Sequence, residues 1–397
     1  MRKLRTSVIG AAVGLAVLAG TAHVSNASST TAAQKFQEAA TGGVQVNGYP
    51  GVMGLIVDGD TKTYVTAGSS VYGSSTPIDP TAKYRIASNT KTFTSVAVLQ
   101  LEAEGKLSID DTVAKWLPNA VNANGYSGAN ITIRQLLNHT SGLPDYMPGE
   151  LNTLYYTMQN VGTQYTPQEL VNRALARTST NPNRYYDYAN TNYILAGMII
   201  KAVTGNSPSV EITNRLITPL NLTNTSYPET SPDIYGNFVQ GWKWQPTIFW
   251  WQLPILEATR SNTQIFGPAG AMISTLQDQA TFERALIQGQ LLPPAQMDKF
   301  KTTVPIARPG ETNPTENTVG LGITRLKLDC TGSPSTWIWS NGGDVIGYHS
   351  RWFISDDGTK QVIYLGNEHH GKPLEESDGK KRLLAGGKNA MCELLKP

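Results

Sequence analysis

The pattern of apolar and polar positions predicts strands near both ends of the chain. Residues 52–57 and 63–67 are apolar or β-branched and are joined by a turn-forming Asp-Gly-Asp sequence at residues 58–60. Four similar segments follow much later, and Asp356-Asp357-Gly358 predicts a hairpin turn before the last of them. Those segments are residues 320–328, 337–340, 348–355 and 361–365.

Longer apolar runs and capping signals predict helices between these strands. The apolar run 93–101, followed by Gly105, is typical of a buried helix. Thr166, Pro167 and Glu169 form a capping box with proline at the first helical position, which starts a helix through residue 177. Further helices are predicted at residues 132–137, 190–203, 274–288 and 380–395.

Strands at both ends with helices between them predict an α+β fold in which an antiparallel sheet is flanked by helices. We expect residues 28–105 and 267–397 to form this sheet-and-helix domain. Residues 106–266 would then form a mainly helical insertion domain. The segment 226–266 has weak helix and strand signals but holds several aromatic residues, which form either local core or a substrate-lining surface. These are Trp242, Trp244, Phe249, Trp250 and Trp251.

Composition and the first residues bear on where the protein acts. The 397 residues are 40% hydrophobic and 16% charged, which is typical of a globular protein. Residues 1–27 combine basic Arg2, Lys3 and Arg5, a short apolar run and small residues, as in a secretory signal peptide. Its removal would take three positive charges from a formal net charge of +2, so nothing indicates nucleic-acid binding. We therefore expect a secreted protein without a membrane span.

The two cysteines, Cys330 and Cys392, are an even pair in a protein expected to be exported. An oxidising compartment favours a disulfide between them, which would tie the C-terminal segment to a strand near residue 328. The alternative is two buried free thiols.

The first candidate chemistry lies at Ser88 and Lys91, three residues apart at the predicted start of the 93–101 helix. Residues at this spacing share a helix face, so the hydroxyl and the amine would be neighbours. A buried lysine whose pKa is lowered by desolvation can take the proton of a serine nucleophile. Because Ser88 would lie in the first helical turn, its surroundings would also favour developing negative charge. The alternative is an ordinary serine and lysine on a core helix.

A second candidate stretch contains Tyr188 and Asn190, just before a predicted helix. Alternate residues of an extended segment point the same way, so the phenol and the amide could enter one cleft. The phenol can relay protons, and the amide can hold both Lys91 and a substrate carbonyl. The alternative is a common tyrosine beside a helix cap.

The third stretch, residues 339–348, contains Asn341-Gly342-Gly343-Asp344 and leads into a strand. Paired glycines let a backbone approach a ligand closely. A backbone N–H from this stretch could join that of Ser88 in an oxyanion hole. The alternative is a simple hairpin turn.

These three stretches, in this order, resemble the motifs of the serine penicillin-recognising enzymes, a Ser-x-x-Lys, a Tyr-x-Asn and a Lys/His-x-Gly element. With Tyr188 and the 139–143 stretch His-Thr-Ser-Gly-Leu, the chain looks most similar to secreted D-alanyl-D-alanine carboxypeptidases and class C β-lactamases. The resemblance covers roughly residues 35–395. It implies that Ser88 is acylated, that Lys91 and Tyr188 transfer protons, and that Asn190 contacts both the substrate and Lys91. It also implies that the Asp344 N–H, after Gly343, lies in the oxyanion hole.

Asn341 departs from this resemblance, because the family usually has lysine or histidine at that position. An amide cannot carry the charge that assists substrate carboxylates, and Asp344 adds a negative charge nearby. We therefore expect weaker recognition of free carboxylates than is usual in the family. Arg325, on a strand predicted to lie beside this one, is a candidate for supplying the missing charge.

The sequence thus predicts an exported serine hydrolase, most simply a D-alanyl-D-alanine carboxypeptidase acting on small cell-wall peptides without a cofactor or metal. β-Lactamase, D-aminopeptidase and esterase activities remain open, as does a non-catalytic protein that binds cell-wall peptides or β-lactams. The Gly-x-Ser-x-Gly motif of α/β-hydrolases is absent. His349, His369 and His370 lack the spacing of a metal site, and His139 is expected to be structural.

Overall fold

A computed structural model describes residues 27–46, 48–178, 181, 183–244, 255–306, 316–332, 334–369 and 378–396. The predicted signal peptide, apart from residue 27, lies outside the described residues. So do Phe249, Trp250, Trp251 and His370. Within the described part of the chain, no helix is both long and apolar enough to span a membrane.

An antiparallel sheet of eight strands forms the centre of the fold, in the order β2-β1-β14-β13-β12-β11-β10-β9. The confirmed fold class is therefore α+β. The large sheet contains β1 (Gly51–Asp58), β2 (Thr61–Gly68), β9 (Val304–Pro305), β10 (Thr318–Val319), β11 (Thr324–Leu328), β12 (Thr336–Val345), β13 (Tyr348–Ile354) and β14 (Lys360–Gly366).

Small sheets accompany the large one. These comprise β3 (Tyr84–Arg85), β4 (Asn122–Ala123), β5 (Tyr126–Ser127), β6 (Trp242–Trp244), β7 (Ile255–Glu257), β8 (Ile273–Ser274) and β15 (Glu368–His369). The described helices are α1 (Ala27–Gln45), α2 (Thr90–Ala103), α3 (Val113–Trp116), α4 (Ile133–Leu137), α5 (Glu150–Tyr156), α6 (Pro167–Leu175), α7 (Asn190–Thr204), α8 (Pro208–Ile212), α9 (Leu276–Ile287), α10 (Pro294–Lys301) and α11 (Asp378–Leu394).

Both faces of the sheet are covered, which explains why β1 is buried along its whole length. Alternate side chains of a strand point to opposite faces. Val52 and Ile56 accordingly pack in a cluster with side chains of α1 and α11, whereas Met53 and Leu55 belong to the larger core on the other face. In that larger core, Phe93 of α2 stacks on Phe282 of α9 with ring centroids 3.6 Å apart. The α1 helix is a feature that the sequence analysis did not predict.

The predicted disulfide between Cys330 and Cys392 is confirmed. It joins the segment after β11 to α11, with the two Cα atoms 5.5 Å apart. The C-terminal helix is thereby held covalently against the sheet face that it covers.

The region between residues 106 and 225 is mainly helical, and its helices begin where the capping signals predict. Thr166 and Glu169 form the expected reciprocal capping box at the start of α6, and α7 ends at Gly205 with φ of 80°. The core is continuous between this region and α2, since Val96 and Ile199 belong to one cluster. The predicted division into a sheet domain and an insertion domain stays a prediction.

Candidate active site

Ser88 lies in a short 3₁₀ turn, Ala87–Asn89, between β3 and α2. The prediction that it occupies the first turn of the helix is therefore wrong by a few residues, because α2 begins at Thr90. Ala87 adopts a φ of 50°, a left-handed conformation that residues with a Cβ seldom adopt. Asn89 anchors the turn by donating from Nδ2 to Ser350 Oγ of β13, at 3.0 Å. Ser88 is thus carried on a constrained turn tied to the sheet.

Lys91 is 2% exposed and directs its amine at Ser88. Its Nζ donates to Ser88 Oγ at 3.0 Å, to Asn190 Oδ1 at 2.9 Å and to the Ala269 carbonyl at 2.7 Å. Burial lowers the pKa of this amine from its usual value to about 7, while the Asp145 carboxyl acts in the opposite direction. A substantial fraction of Lys91 is therefore neutral, and able to accept a proton, near neutral pH.

Tyr188 brings its hydroxyl to within 2.7 Å of Ser88 Oγ. The residue is 42% exposed and lines the cleft. Burial first, and nearby Tyr186 and Asp145 after it, raise the pKa of the phenol well above 10, although the Ser88 hydrogen bond opposes the shift. The phenol therefore stays protonated at neutral pH, and Lys91 rather than Tyr188 is the group able to accept the serine proton.

Asp145 is a site residue that the sequence analysis missed. Its Oδ2 accepts hydrogen bonds from the Asn190 backbone N–H at 2.8 Å and from Asn190 Nδ2 at 2.9 Å. Both bonds orient the Asn190 amide so that its oxygen faces Lys91. Burial raises the pKa of the Asp145 carboxyl, while the N–H donors and Lys91 counteract part of that rise. The available signal was its position, two residues after the His139–Leu143 stretch.

His139 supports the same region without reaching the reacting atoms. Its ring lies 4.5 Å from that of Tyr188, measured between centroids, and its Nδ1 accepts from the Ala189 backbone N–H at 3.3 Å. Burial first, and then the charge of Lys91, hold the pKa of this imidazole well below 6.5. It is neutral at physiological pH and packs under the Tyr188 loop, as the structural interpretation expected.

The third predicted stretch is part of β12, and half of that strand has an open edge. Strand β11 pairs with β12 only from residue 336 to residue 340, whereas β13 pairs with it as far as residue 345. No described strand covers the other edge beyond Ser340. Gly342 donates its N–H to Asn341 Oδ1 at 2.8 Å instead of to β13. By the alternation of antiparallel pairs, the N–H of Asp344 points to the same open edge.

Gly343 explains how closely this edge approaches Ser88. A Cβ at this position would lie 2.1 Å from the Ile86 carbonyl oxygen and 3.0 Å from the Ser88 backbone nitrogen. Only glycine fits there, so β12 packs directly on the Ser88 turn. The Ser88 backbone is therefore packed against β12 at the residue that precedes Asp344.

A family model described as Beta-lactamase matches residues 36–387 of the chain. The chain belongs to the beta-lactamase family. The predicted resemblance to serine penicillin-recognising enzymes is confirmed at this level, and the protein is a member of a family of serine hydrolases. The extent of the match agrees with the fold, since it begins in α1 and ends in α11.

Two curated relatives show how far this family likeness extends. Protein flp of Staphylococcus aureus (strain COL) is 34% identical over 232 residues, which are 57% of this chain and 41% of that protein. Penicillin-binding protein 4* of Bacillus subtilis (strain 168) is 28% identical over 306 residues, 76% of this chain and 64% of that protein. The matched region therefore spans less than two thirds of these relatives.

Among solved structures, a D-stereospecific amidohydrolase from Streptomyces sp. is similar, with a TM-score of 0.78 and 32% identity. The match covers 89% of this chain and 98% of that one. A D-amino acid amidase from Ochrobactrum anthropi SV3 has a TM-score of 0.74 at 23% identity, covering 90% and 99% of the two chains. The latter supports the fold alone.

Asn341 occupies the position where family members usually carry lysine or histidine. Its side chain forms hydrogen bonds to other groups of the protein. Its Nδ2 donates to Thr92 Oγ1 at 2.9 Å and to the Gly322 carbonyl at 3.2 Å, and its Oδ1 accepts from Gly342. This side chain therefore joins β12 to α2 and holds the open edge in place. Asn341 also lines the cleft, and its predicted contact with a substrate stays a prediction.

Arg325, the predicted substitute for the missing charge, does not line the cleft. Its guanidinium pairs with both carboxylate oxygens of Asp356 and lies 4.6 Å from the ring centroid of Trp339. Asp344 does line the cleft, and basic side chains lie against its carboxylate. Its Oδ1 lies 2.8 Å from Lys380 Nζ and 2.7 Å from His349 Nδ1.

A cleft of about 560 Å³ contains the groups described above. Part of its lining, which we call the aromatic wall, is aromatic or apolar, and the Tyr155 hydroxyl of this wall accepts a hydrogen bond from the Ile346 backbone N–H at 3.1 Å. Tyr155 and Phe266 meet there edge to face, with ring centroids 5.1 Å apart. The aromatic wall consists of Met147, Pro148, Tyr155, Tyr156 and Phe266.

Proposed function

We propose that the protein is a D-stereospecific peptidase that hydrolyses an amide bond following a D-residue, through an acyl-enzyme on Ser88. The observation that carries this proposal is the buried Lys91 amine, whose pKa is about 7 and which lies 3.0 Å from the Ser88 hydroxyl. A base tuned to neutral pH beside a nucleophile is the arrangement that acyl transfer needs.

The proposed reaction follows from the protonation states of the three groups. Neutral Lys91 takes the proton of Ser88 as Oγ attacks the scissile carbonyl carbon, and the negative charge that forms on the carbonyl oxygen faces the N–H groups of Ser88 and Asp344. Tyr188 gives its proton to the leaving nitrogen as the C–N bond breaks, and Lys91 returns a proton to the phenol. Water then attacks the ester, and the same groups transfer protons in the reverse direction.

The substrate class is supported by the cleft and by one relative. The Streptomyces protein, similar along nearly its whole length, is named a D-stereospecific amidohydrolase. The aromatic wall offers an apolar side chain a site to bury itself, at a gain of roughly 25 cal/mol per Å². We expect a D-residue with a large apolar side chain, such as D-Phe, to be accepted at the acyl position.

Cell-wall peptides ending in D-Ala-D-Ala remain the simplest natural substrates of this kind, and the predicted signal peptide of residues 1–27 supports action outside the cell. Fractionation of the native host with an antibody against the protein tests this placement. The proposal expects a processed chain in the medium or at the cell surface. A full-length chain retained in the cytoplasm would contradict it.

The catalytic proposal is tested by comparing acyl-D-Phe-D-Ala with acyl-L-Phe-D-Ala. The D-substrate should be hydrolysed with a kcat/KM at least about 100-fold higher, because misplacing the scissile carbonyl by about 1 Å costs that much. The Ser88→Ala variant is the control and should turn over neither peptide. Equal rates for both peptides, or activity that survives in Ser88→Ala, would overturn the proposal.

A further inference from the structure

Arg351 reaches the active-site cleft from β13, one strand away from the open edge. It lies directly opposite Gly342 of β12, and its guanidinium covers the place where a side chain at that position would stand. A Cβ on Gly342 would lie 3.0 Å from Arg351 Nη2 and 3.1 Å from Cζ. Because Gly342 has no side chain, the arginine can cross β12 and line the cleft.

The charge of Arg351 has no counterpart within the described part of the chain. Its Nε is buried and has no hydrogen-bond partner there, and no described carboxylate pairs with the guanidinium. Arg325 and Arg134, by contrast, each make two bonds to one aspartate. A buried donor without an acceptor costs free energy, so a cation held in this state in a cleft indicates an anionic ligand.

Arg351 faces Gly342, and the position of Gly342 along β12 suggests which part of a substrate the guanidinium meets. The oxyanion site is at Asp344, and Gly342 is two residues away, or about 6.7 Å of strand. One extended residue after the scissile carbonyl spans about 3.5 Å, and a charge-assisted hydrogen bond adds about 2.8 Å. A leaving group of one amino acid would therefore bring its carboxylate to the guanidinium. Tyr155 of the aromatic wall lies in the other direction along the chain, where its hydroxyl accepts the Ile346 N–H.

We propose that Arg351 is the specificity residue that binds the free α-carboxylate of the leaving amino acid, the function for which Asn341 is unsuited. This inference rests on the proposed peptidase function and narrows it to peptides cleaved one residue from a free C-terminus. It replaces our expectation from the sequence that free carboxylates are poorly recognised. Asp344 does not oppose such binding strongly, since Lys380 and His349 already lie against its carboxylate.

The test compares two substrates that differ only in charge, acyl-D-Phe-D-Ala and its C-terminal amide. Arg351→Gln should lower kcat/KM for the free acid by at least about tenfold and leave the amide within about twofold of wild type. Arg351→Lys should restore part of the preference for the acid. The matched control is Arg325→Gln. Arg325 belongs to the neighbouring strand β11 and does not line the cleft, so this variant should keep the acid-to-amide ratio of wild type.

The outcomes separate this inference from the function on which it rests. If wild type hydrolyses both peptides and Arg351→Gln keeps the same acid-to-amide ratio, the inference is wrong and the function stands. If wild type hydrolyses neither, the proposed function fails. Calorimetric titration of Ser88→Ala and of Ser88→Ala/Arg351→Gln with acyl-D-Phe-D-Ala then tests Arg351 alone. Equal affinities would overturn the inference, whereas weaker binding by the double variant would support it.

Discussion

The three hydrogen-bond acceptors around the Lys91 amine are all uncharged, and one of them is the Ser88 hydroxyl at 3.0 Å. An ammonium group removed from water without a touching counter-ion loses stability relative to its neutral form. Burial therefore makes Lys91 a base, and the Asp145 carboxyl, which contacts Asn190 rather than the amine, keeps the pKa from falling further. The catalytic proposal depends on this balance.

The pH dependence of acylation should report the Lys91 amine. Because the neutral form accepts the serine proton, kcat/KM for a neutral peptide amide should rise with pH and level off above an apparent pKa of about 7. An ordinary lysine would place that rise at about 10.4. The measurement is the pH profile of kcat/KM between about pH 5 and 10. A profile that keeps rising up to pH 10 would contradict the assignment of the base.

The Asp145→Asn variant should move this profile to lower pH, because the carboxylate that raises the Lys91 pKa is removed. The rate should also fall, because an asparagine has one side-chain oxygen in place of the two that now accept from the Met147 N–H and from both donors of Asn190. The shift distinguishes an electrostatic effect on Lys91 from simple damage to the loop, which would lower the rate at all pH values equally. An unshifted acid limb would show that Asp145 has only a structural role.

Replacing Tyr188 with phenylalanine should affect amides more than activated esters. The phenol supplies a proton to the leaving nitrogen, and such general acid catalysis contributes about 10²–10⁴-fold. A p-nitrophenyl ester leaves as a stable anion and needs little protonation. We therefore expect a much larger loss of kcat/KM for acyl-D-Phe amide than for acyl-D-Phe p-nitrophenyl ester. Equal losses would indicate that Tyr188 acts by orienting Ser88.

Two adjacent glycines of β12 should respond very differently to alanine. In Gly343→Ala the new Cβ meets the Ile86 carbonyl oxygen at 2.1 Å, so the Ser88 turn and β12 must separate. We expect a stability loss of about 1–3 kcal/mol and a collapse of activity. In Gly342→Ala the Cβ meets only the flexible end of Arg351, so the melting temperature should change little while the preference for free acids weakens. Thermal denaturation and the acid-to-amide ratio test the pair, and equal melting temperatures would contradict the packing argument.

Local sequence signals were enough to predict much of the fold and the grouping of Ser88, Lys91, Tyr188 and Asn190. The 3-residue spacing of Ser88 and Lys91 and the 2-residue spacing of Tyr188 and Asn190 are short-range features that survive small errors in element boundaries. The longer strands of the central sheet were predicted from apolar and β-branched runs and from turn sequences, whereas the two-residue strands β9 and β10 were not predicted. The predicted strand ended at residue 340, whereas β12 continues to Val345. Glycine is disfavoured in strands, so residues 342–343 suggested a hairpin turn instead.

Arg351 and Asp145 were not predicted as site residues from the sequence, for a different physical reason. Arg351 enters the cleft through cross-strand register, since it lies opposite Gly342 in a hairpin whose turn follows Val345. Hairpin register is set by the position of the turn, and the sequence analysis ended the first strand at residue 340, so it did not place this turn. Asp145 meets Asn190 only after the two segments fold together. Arg325 was chosen instead because its strand was expected to be the neighbour of the third stretch. That expectation is correct, but the guanidinium is bound to Asp356.

The most direct measurement of the central claim is the intact mass of the protein after reaction with a penicillin and, in a separate acid-quenched sample, with acyl-D-Phe p-nitrophenyl ester. The account predicts a single adduct with each reagent, located by peptide mapping on Ser88, and no adduct with the Ser88→Ala variant. Hydrolysis of the ester without an adduct at Ser88, or an adduct that persists when Ser88 is replaced, would contradict it.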